Sequence, residues 1–166
     1  MTTVSPLQIE INSIIALFYS GQAQEALDSV RALIKDYPNE PVPYNISGAC
    51  YAALGQLDEA VKNYKKSLAI KPDYAEVHNN LGNALIRLGK FNSAVNSLEK
   101  ALAIKPDFVD AHYNLGLTLQ ELSQLDDAVK CYEKALTIKP DFAEAHNNLG
   151  VTLKELVQLD DAVKSY

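Results

Sequence analysis

Lys71-Pro72-Asp73-Tyr74 returns almost unchanged as Lys105-Pro106-Asp107-Phe108 and again as Lys139-Pro140-Asp141-Phe142. Together with Pro38, the prolines of these segments are separated by a constant step of 34 residues. A fixed period of this length is typical of solenoids, in which one supersecondary unit stacks on copies of itself. The sequence therefore predicts an all-α chain built from one repeated helical hairpin.

Small and large residues recur with the same step at other positions of the period. A small residue that returns in every repeat predicts a point where two helices approach closely, because a larger side chain would push their axes apart. A large residue four positions later predicts the side chain that fills the core beside it. The recurring residues are Gly48, Gly82, Gly116 and Gly150, then Ala26, Ala60, Ala94, Ala128 and Ala162, then Val30, Tyr64, Leu98, Tyr132 and Tyr166.

An aromatic residue or His, a Gly, a large residue, an Ala, a second aromatic residue and a closing Pro follow one another in fixed order, as in Tyr44, Gly48, Tyr51, Ala60, Tyr64 and Pro72. This pattern resembles the tetratricopeptide repeat. The resemblance implies a right-handed α-solenoid of helix-turn-helix units within a single domain, residues 1–166, with four full repeats and a truncated fifth. Its repeats are 7–40, 41–74, 75–108, 109–142 and 143–166.

The two ends of the chain depart from the pattern. The first repeat has Glu10, Ser13 and Ile14 where an aromatic residue, Leu and Gly are expected. The last repeat stops about two turns into its second helix, and helices that short are marginal by themselves. We therefore expect the chain to be a fragment of a longer protein.

Local signals predict where the helices of each repeat begin and turn. Asp73 precedes Glu76 by three residues, a spacing that predicts an Asp cap on the first helix, and Asp107 and Asp141 repeat it. Glycines that permit a tight turn and aspartates that could cap the second helix follow in the same order. They are Gly21, Gly55 and Gly89, then Asp58, Asp126 and Asp160.

Composition excludes several classes of function. The formal charge is −6, and no cluster of Lys and Arg offers a surface for nucleic acid. No segment has the pattern of a signal peptide or of a membrane span, so we expect a cytoplasmic protein. Cys50 shares its repeat position with Ala and Thr, and Cys131 shares its position with Ser and Asn. Both should be free thiols, and Cys131 should be the more accessible.

His78, His112 and His146 resemble a repeated ligand set, but the repeat separates them. Equivalent positions of stacked helices lie about 8 to 10 Å apart. Zinc requires its nitrogen ligands at about 2.0 to 2.1 Å, so we interpret these residues as half-buried packing groups. We predict no metal site, no cofactor and no catalytic residue, and thus no enzymatic activity.

The resemblance implies that the first helices of successive repeats line a concave groove that binds ligands. A row of asparagines follows this face and resembles the asparagine ladder of O-linked N-acetylglucosamine transferases, whose amides hold a peptide backbone. The alternative is that these amides only solvate the groove or bond neighbouring helices. The predicted peptide-binding residues of the row are Asn12, Asn45, Asn79, Asn80, Asn83, Tyr113, Asn114, Asn147 and Asn148.

The first helix is apolar around nearly its whole circumference, which predicts burial on more than one side. The repeat numbering places four of its residues in the groove, where they could bind apolar side chains of a peptide or pair with a second copy of the chain. The alternative is that Phe18 and Tyr19 cap the core. These four predicted contact residues are Ile11, Ile15, Phe18 and Tyr19.

Charge and groove together favour a protein-interaction scaffold that binds an extended peptide segment. The groove positions of repeats two to five contain Arg87 and Lys154 against five carboxylates, so a basic clamp for an acidic peptide terminus is disfavoured. One alternative is the substrate-docking arm of a larger transferase. Another is a structural element that assembles through its apolar N-terminal helix or its uncapped C-terminal end into a homo-oligomer.

Overall fold

The structure is a computed structural model that describes the backbone of residues 5–164 and the side chains of residues 5–157. These residues form nine helices and no strand. The helices are α1 (Pro6–Tyr19), α2 (Ala23–Asp36), α3 (Pro41–Ala53), α4 (Leu57–Ile70), α5 (Ala75–Arg87), α6 (Phe91–Ile104), α7 (Val109–Glu121), α8 (Leu125–Ile138) and α9 (Ala143–Lys164).

Consecutive helices pack as hairpins, and the hairpins stack in one row. The first helices α1, α3, α5 and α7 each contact the second helix that follows them, and each second helix contacts the next first helix. The first helices α1, α3, α5, α7 and α9 also contact one another in order. The predicted all-α helical solenoid is therefore confirmed.

The two helices of a hairpin touch where the predicted small residues lie. A Cβ atom on Gly116 would come within 2.6 Å of the Tyr132 ring, and one on Gly48 within 2.6 Å of the Tyr64 ring. Real contacts of that length do not occur, so these positions have no room for a side chain. Ala94 and its equivalents Ala26, Ala60 and Ala128 are fully buried. Ala162 and Tyr166 lie outside the residues whose side chains are described.

The turn between the helices is a Schellman motif. The Gly55 N–H donates to the carbonyl of Ala52 at 3.2 Å and the Gln56 N–H to that of Tyr51 at 2.9 Å, with Gly55 at φ 76°. Gly21 and Gly89 do the same, as predicted. Ser123, which the sequence did not mark, occupies the fourth turn at φ 57°.

The predicted aspartate caps are wrong where the helix starts are described in full. Helix α5 begins after Tyr74 and α7 after Phe108, and neither start has a side-chain cap, so Asp73 and Asp107 lie in the preceding turn. Their equivalent Asp141 likewise precedes α9, which begins at Ala143.

The second helices differ from prediction in the same way. Asp58 and Asp126 lie inside the first turns of α4 and α8 rather than ahead of them. There a carboxylate is favoured by the positive end of the helix dipole instead of by a capping bond. Their equivalent Asp160 lies outside the described side chains.

The expected fifth hairpin is not formed by the described residues. Helix α9 runs without a break over 22 residues, through the position where the other repeats turn. The residue at that position is Val157, and a β-branched side chain strongly disfavours the left-handed backbone conformation that the turn requires. Residues 143–164 therefore contribute one long helix that packs on α7 and α8.

Among the described helices, none is both long enough and apolar enough to cross a bilayer.

Replacing Ala94 with Leu should destabilise the protein, because α5 and α6 leave no space at this buried alanine. We expect the free energy of unfolding to fall by about 1 to 3 kcal/mol through overpacking. Ala103→Leu on the exposed side of α6 is the matched control and should change it by less than about 0.5 kcal/mol. Urea denaturation measures both, and equal effects would contradict the packing argument.

Cys131 should react with a thiol reagent faster than Cys50 in the folded protein, because Cys131 is half-buried and Cys50 is fully buried. Burial raises the pKa of both thiols to about 11. Below that pH the thiolate fraction, and with it the labelling rate of Cys131, should rise about tenfold per pH unit. Mass spectrometry of peptides after timed labelling gives the rates, and the difference should disappear in urea.

Candidate peptide-binding groove

The histidines that recur in repeats three to five form hydrogen bonds with the loops between repeats. His78 Nε2 lies 2.9 Å from the carbonyl oxygen of Pro72, and Tyr44 donates its hydroxyl to Pro38 in the same way at 3.1 Å. The two later histidines repeat the bond at 2.9 Å, His112 with Pro106 and His146 with Pro140. Within the part of the chain that the structure describes, no group of three or more His, Cys, Asp or Glu side chains could hold a metal ion.

The Lys-Pro-Asp-aromatic segment is also structural. Lys71 places its ammonium 4.9 Å from the centre of the Tyr74 ring, a distance at which a cation is attracted to the ring face. Lys105 and Lys139 lie 4.7 and 5.0 Å from the rings of Phe108 and Phe142. The recurring histidines and the Lys-Pro-Asp-aromatic segments thus have structural roles. A binding site has to be formed by other residues.

The asparagine row bonds neighbouring first helices to one another. Asn80 donates its Nδ2 to Oδ1 of Asn45 at 3.1 Å, and Asn114 donates to Asn79 at 3.0 Å. Asn148 donates to the hydroxyl of Tyr113 at 3.0 Å. Bonding between neighbouring helices, the alternative role considered for the row, is therefore one of its functions in the structure. A side-chain amide has two N–H groups and two lone pairs, so each bond leaves further groups for a ligand, and backbone capture stays a prediction.

The remaining predicted residues differ in accessibility. Asn83 and Asn147 are exposed, and Asn12 is exposed and accepts from Gln8 at 2.9 Å. Asn79 and Asn114 are only 8% exposed. Ile11 corrects the expectation for the first helix, since it is buried in the core rather than open to the groove.

The other three residues of α1 border a cavity of about 500 Å³ at the N-terminal end of the groove. Phe18 also packs against the core, as the alternative reading required, whereas Tyr19 is 83% exposed at the rim. We call this cavity the N-terminal pocket. It is lined by Ile15, Phe18, Tyr19, Asn45, Ile46, Ala49, Ala52, Ala53, Tyr64 and Asn80.

Three alanines create the depth of the N-terminal pocket. Ala49, Ala52 and Ala53 line it on α3, and small side chains there leave the space open. The equivalent residues of the next repeat, on α5, are Asn83, Ile86 and Arg87. Substitution of three small side chains by large ones explains why the cavity does not continue along the groove.

The other end of the groove is acidic. A cavity of about 370 Å³ is lined there by Tyr113, Glu144, Asn148 and their neighbours Ala143 and Asn147. Gln120 contacts Glu155 across α7 and α9 at 3.4 Å. In the middle of the groove, Arg87 donates to the carbonyl of Ala52 at 2.9 Å.

A third cavity of about 910 Å³ lies outside the groove, between α4, α5 and α6. Lys65, Lys90 and Lys100 border it, at a surface that was not among the predicted sites. The sequence does contain a sign of this less acidic surface: Asn92 and Ser93 occupy the positions at which the next repeat has Asp126 and Asp127. Loss of both carboxylates makes the start of α6 less acidic than those of α4 and α8.

A stack of helical hairpins with a groove along its first helices defines the class of α-helical repeat proteins. Profiles described as "TPR repeat" match residues 48–89 and 82–123, and profiles described as "Tetratricopeptide repeat" match 109–142 and 131–164. The chain belongs to the tetratricopeptide repeat family.

Solved structures share the fold at low sequence identity. The MamA protein is 26% identical with a TM-score of 0.81, over 95% of this chain and 86% of that one. The first TPR of Spaghetti (RPAP3), bound to the HSP90 peptide SRMEEVD, is 28% identical with a TM-score of 0.70, over 71% and 94%. YrrB, described as a TPR protein with an unusual peptide-binding site, is 22% identical with a TM-score of 0.73, over 88% and 75%. A comparison with curated proteins gave no significant match.

Replacing Asn114 with Ala should destabilise the stack, because it removes a buried bond and leaves the Asn79 carbonyl without its partner. We expect a loss of about 1 to 3 kcal/mol in the free energy of unfolding. Asn83→Ala removes an exposed amide from α5 and should be nearly neutral. If the two variants unfold at the same urea concentration, the bond contributes nothing to stability.

Proposed function

We propose that the chain is a protein-interaction scaffold that binds an extended peptide segment in the groove of its first helices. The observation that carries the proposal is the N-terminal pocket, where Ala49, Ala52 and Ala53 open about 500 Å³ beside the exposed ring of Tyr19. Concave apolar cavities with a few polar groups are the usual form of ligand sites.

The comparisons support a peptide as the ligand class. The Spaghetti repeat domain, whose 28% identity spans 71% of this chain, was solved with a bound peptide. That peptide, SRMEEVD, has three acidic residues. The groove of this chain is acidic at its C-terminal end, so we propose that its own peptide differs in charge from that ligand.

The second candidate is a substrate-docking arm of a larger transferase, and the asparagine row favours it. Amides that remain partly unpaired along the groove can bond a backbone whatever its side chains are. The two candidates differ in selectivity: a docking arm of this kind binds unrelated peptides with similar affinity, whereas a scaffold with a dominant pocket selects among side chains.

We propose that the chain acts by binding and not by catalysis. In support, each histidine of the described residues contacts a proline carbonyl, so none is paired with a nucleophile. The two thiols, Cys50 and Cys131, are free, as expected in a reducing compartment such as the cytoplasm.

Replacing Ala53 with Glu should abolish binding through the N-terminal pocket, because it places a charge and a longer side chain at an exposed position of the apolar wall. We expect at least a tenfold loss of affinity for peptides that the wild-type chain captures from an array of unrelated 15-residue sequences. Ala103→Glu, an exposed alanine on α6 outside the groove, is the matched control and should bind as the wild type does.

Circular dichroism should show the same helix content for both variants. Capture that survives Ala53→Glu, or that is lost equally in Ala103→Glu, would contradict the proposed use of the groove. Light scattering over a range of protein concentrations separates peptide binding from pairing of two copies through the same pocket.

A further inference from the structure

Tyr64 presents an unused hydroxyl to the N-terminal pocket. Its side chain is only 3% exposed and borders the pocket. Burial raises the pKa of this phenol above its ordinary range, against a smaller opposite effect of the Arg87 guanidinium. Among the described residues, the Tyr64 hydroxyl makes no hydrogen bond, whereas its equivalent Tyr132 does. In the part of the chain whose side chains are described, no fully buried polar side-chain atom lacks a partner. The Tyr64 hydroxyl therefore retains contact with solvent.

The equivalent tyrosine two repeats later shows where this hydroxyl points. Tyr132 donates its hydroxyl to Oε1 of Gln120 at 3.1 Å, across the hairpin from α8 to α7. Subtracting two periods of 34 residues places Ala52 where Gln120 lies. Ala52 is a wall of the N-terminal pocket. The Tyr64 hydroxyl thus faces the space that a glutamine side chain fills in the fourth repeat.

In the other repeats, the residues equivalent to Ala52 and Tyr64 are chemically matched to each other. The pair is apolar with apolar in the first repeat, Phe18 with Val30, and in the third, Ile86 with Leu98. The fourth repeat pairs an amide with a phenol. The second repeat alone of these four pairs a phenol with an alanine, which supplies neither the volume nor the hydrogen-bond acceptor.

We infer that the N-terminal pocket binds the side chain of a glutamine in the peptide ligand, whose amide oxygen accepts from the Tyr64 hydroxyl while its methylenes pack on Ala49 and Ala52. This inference rests on the proposed peptide-binding function. It names the residue that the groove selects, which the function by itself leaves open.

A neutral amide fits the site better than a carboxylate or a purely apolar side chain. The walls are mainly apolar, so a carboxylate would lose its hydration there. The Arg87 guanidinium lies nearby, but it is exposed and already donates to the carbonyl of Ala52, so it offsets only part of that cost. A leucine or methionine would fill the volume but would take the Tyr64 hydroxyl out of water without a partner. The side chain of Gln120 is a precedent for the required length and chemistry within the same chain.

The first test needs no ligand. Tyr64→Phe removes a hydroxyl that has no protein partner, so its urea midpoint should equal that of the wild type. Tyr132→Phe breaks the bond to Gln120 and should lower the midpoint. A Tyr64→Phe midpoint as low as that of Tyr132→Phe would show that the Tyr64 hydroxyl is satisfied internally, and the inference would be overturned.

The second test uses a phage-displayed library of random 12-residue peptides. Peptides selected on the wild-type chain and lost on Ala53→Glu occupy the pocket. Among these, glutamine should be enriched at one position, and the enrichment should disappear on Tyr64→Phe but persist on Tyr132→Phe. For the strongest peptide, exchange of that glutamine for methionine should weaken binding about three- to tenfold on the wild type and not on Tyr64→Phe.

The outcomes separate the inference from the function on which it rests. Peptides that depend on Ala53 but bind equally well with methionine, or better with glutamate, would leave the groove function standing and overturn the glutamine assignment. A library in which no peptide depends on Ala53 would overturn both.

Discussion

In the hairpins of repeats two to four, the two helices meet where a glycine lies against a large side chain, and this contact sets how closely the helices pack. A Cβ atom at Gly116 would come within 2.6 Å of the Tyr132 ring. The buried alanine of the same hairpin, Ala128, holds the helix axes close at a second point. Because the hairpins of repeats two to four all contain this pair of contacts, they have the same shape, and like shapes stack into a row with a continuous groove.

Much of the fold could be predicted from sequence because its determinants recur. One glycine proves little, but Gly21 and Gly55 at equivalent positions identify a turn. Features that occur once were harder to see. Ser123 occupies a left-handed turn without any sequence signal, and the continuous α9 depends on Val157, a single departure from the pattern. The aspartate caps were mispredicted because Asp73 fits a capping spacing as well as it fits a turn.

The residue types that line the candidate site could be predicted from the sequence, but the hydrogen-bond partners of those residues could not. The sequence indicated that apolar residues of α1 and amides of the later repeats share one face. It did not show that Asn80 and Asn114 form hydrogen bonds with the preceding first helix. Amides that bind a peptide and amides that bond neighbouring helices recur with the same spacing in the sequence. The unpaired hydroxyl of Tyr64 could not be recognised until the partner of Tyr132 was known, because the bond from Tyr132 to Gln120 joins two different helices.

The amide bonds between first helices also determine how the solenoid can bend. They join adjacent repeats on the inner face, as Asn114 to Asn79 does, and they are buried or half-buried. On the outer side the exposed ion pair of Lys90 and Asp58, at 3.6 Å, is a weak restraint. We therefore expect any flexing of the stack to pivot about the inner face, with the distances between the outer helices changing most. Such flexing would conserve the spacing of the groove along its length, so an extended peptide bound as proposed would keep its register while the curvature of the stack changed.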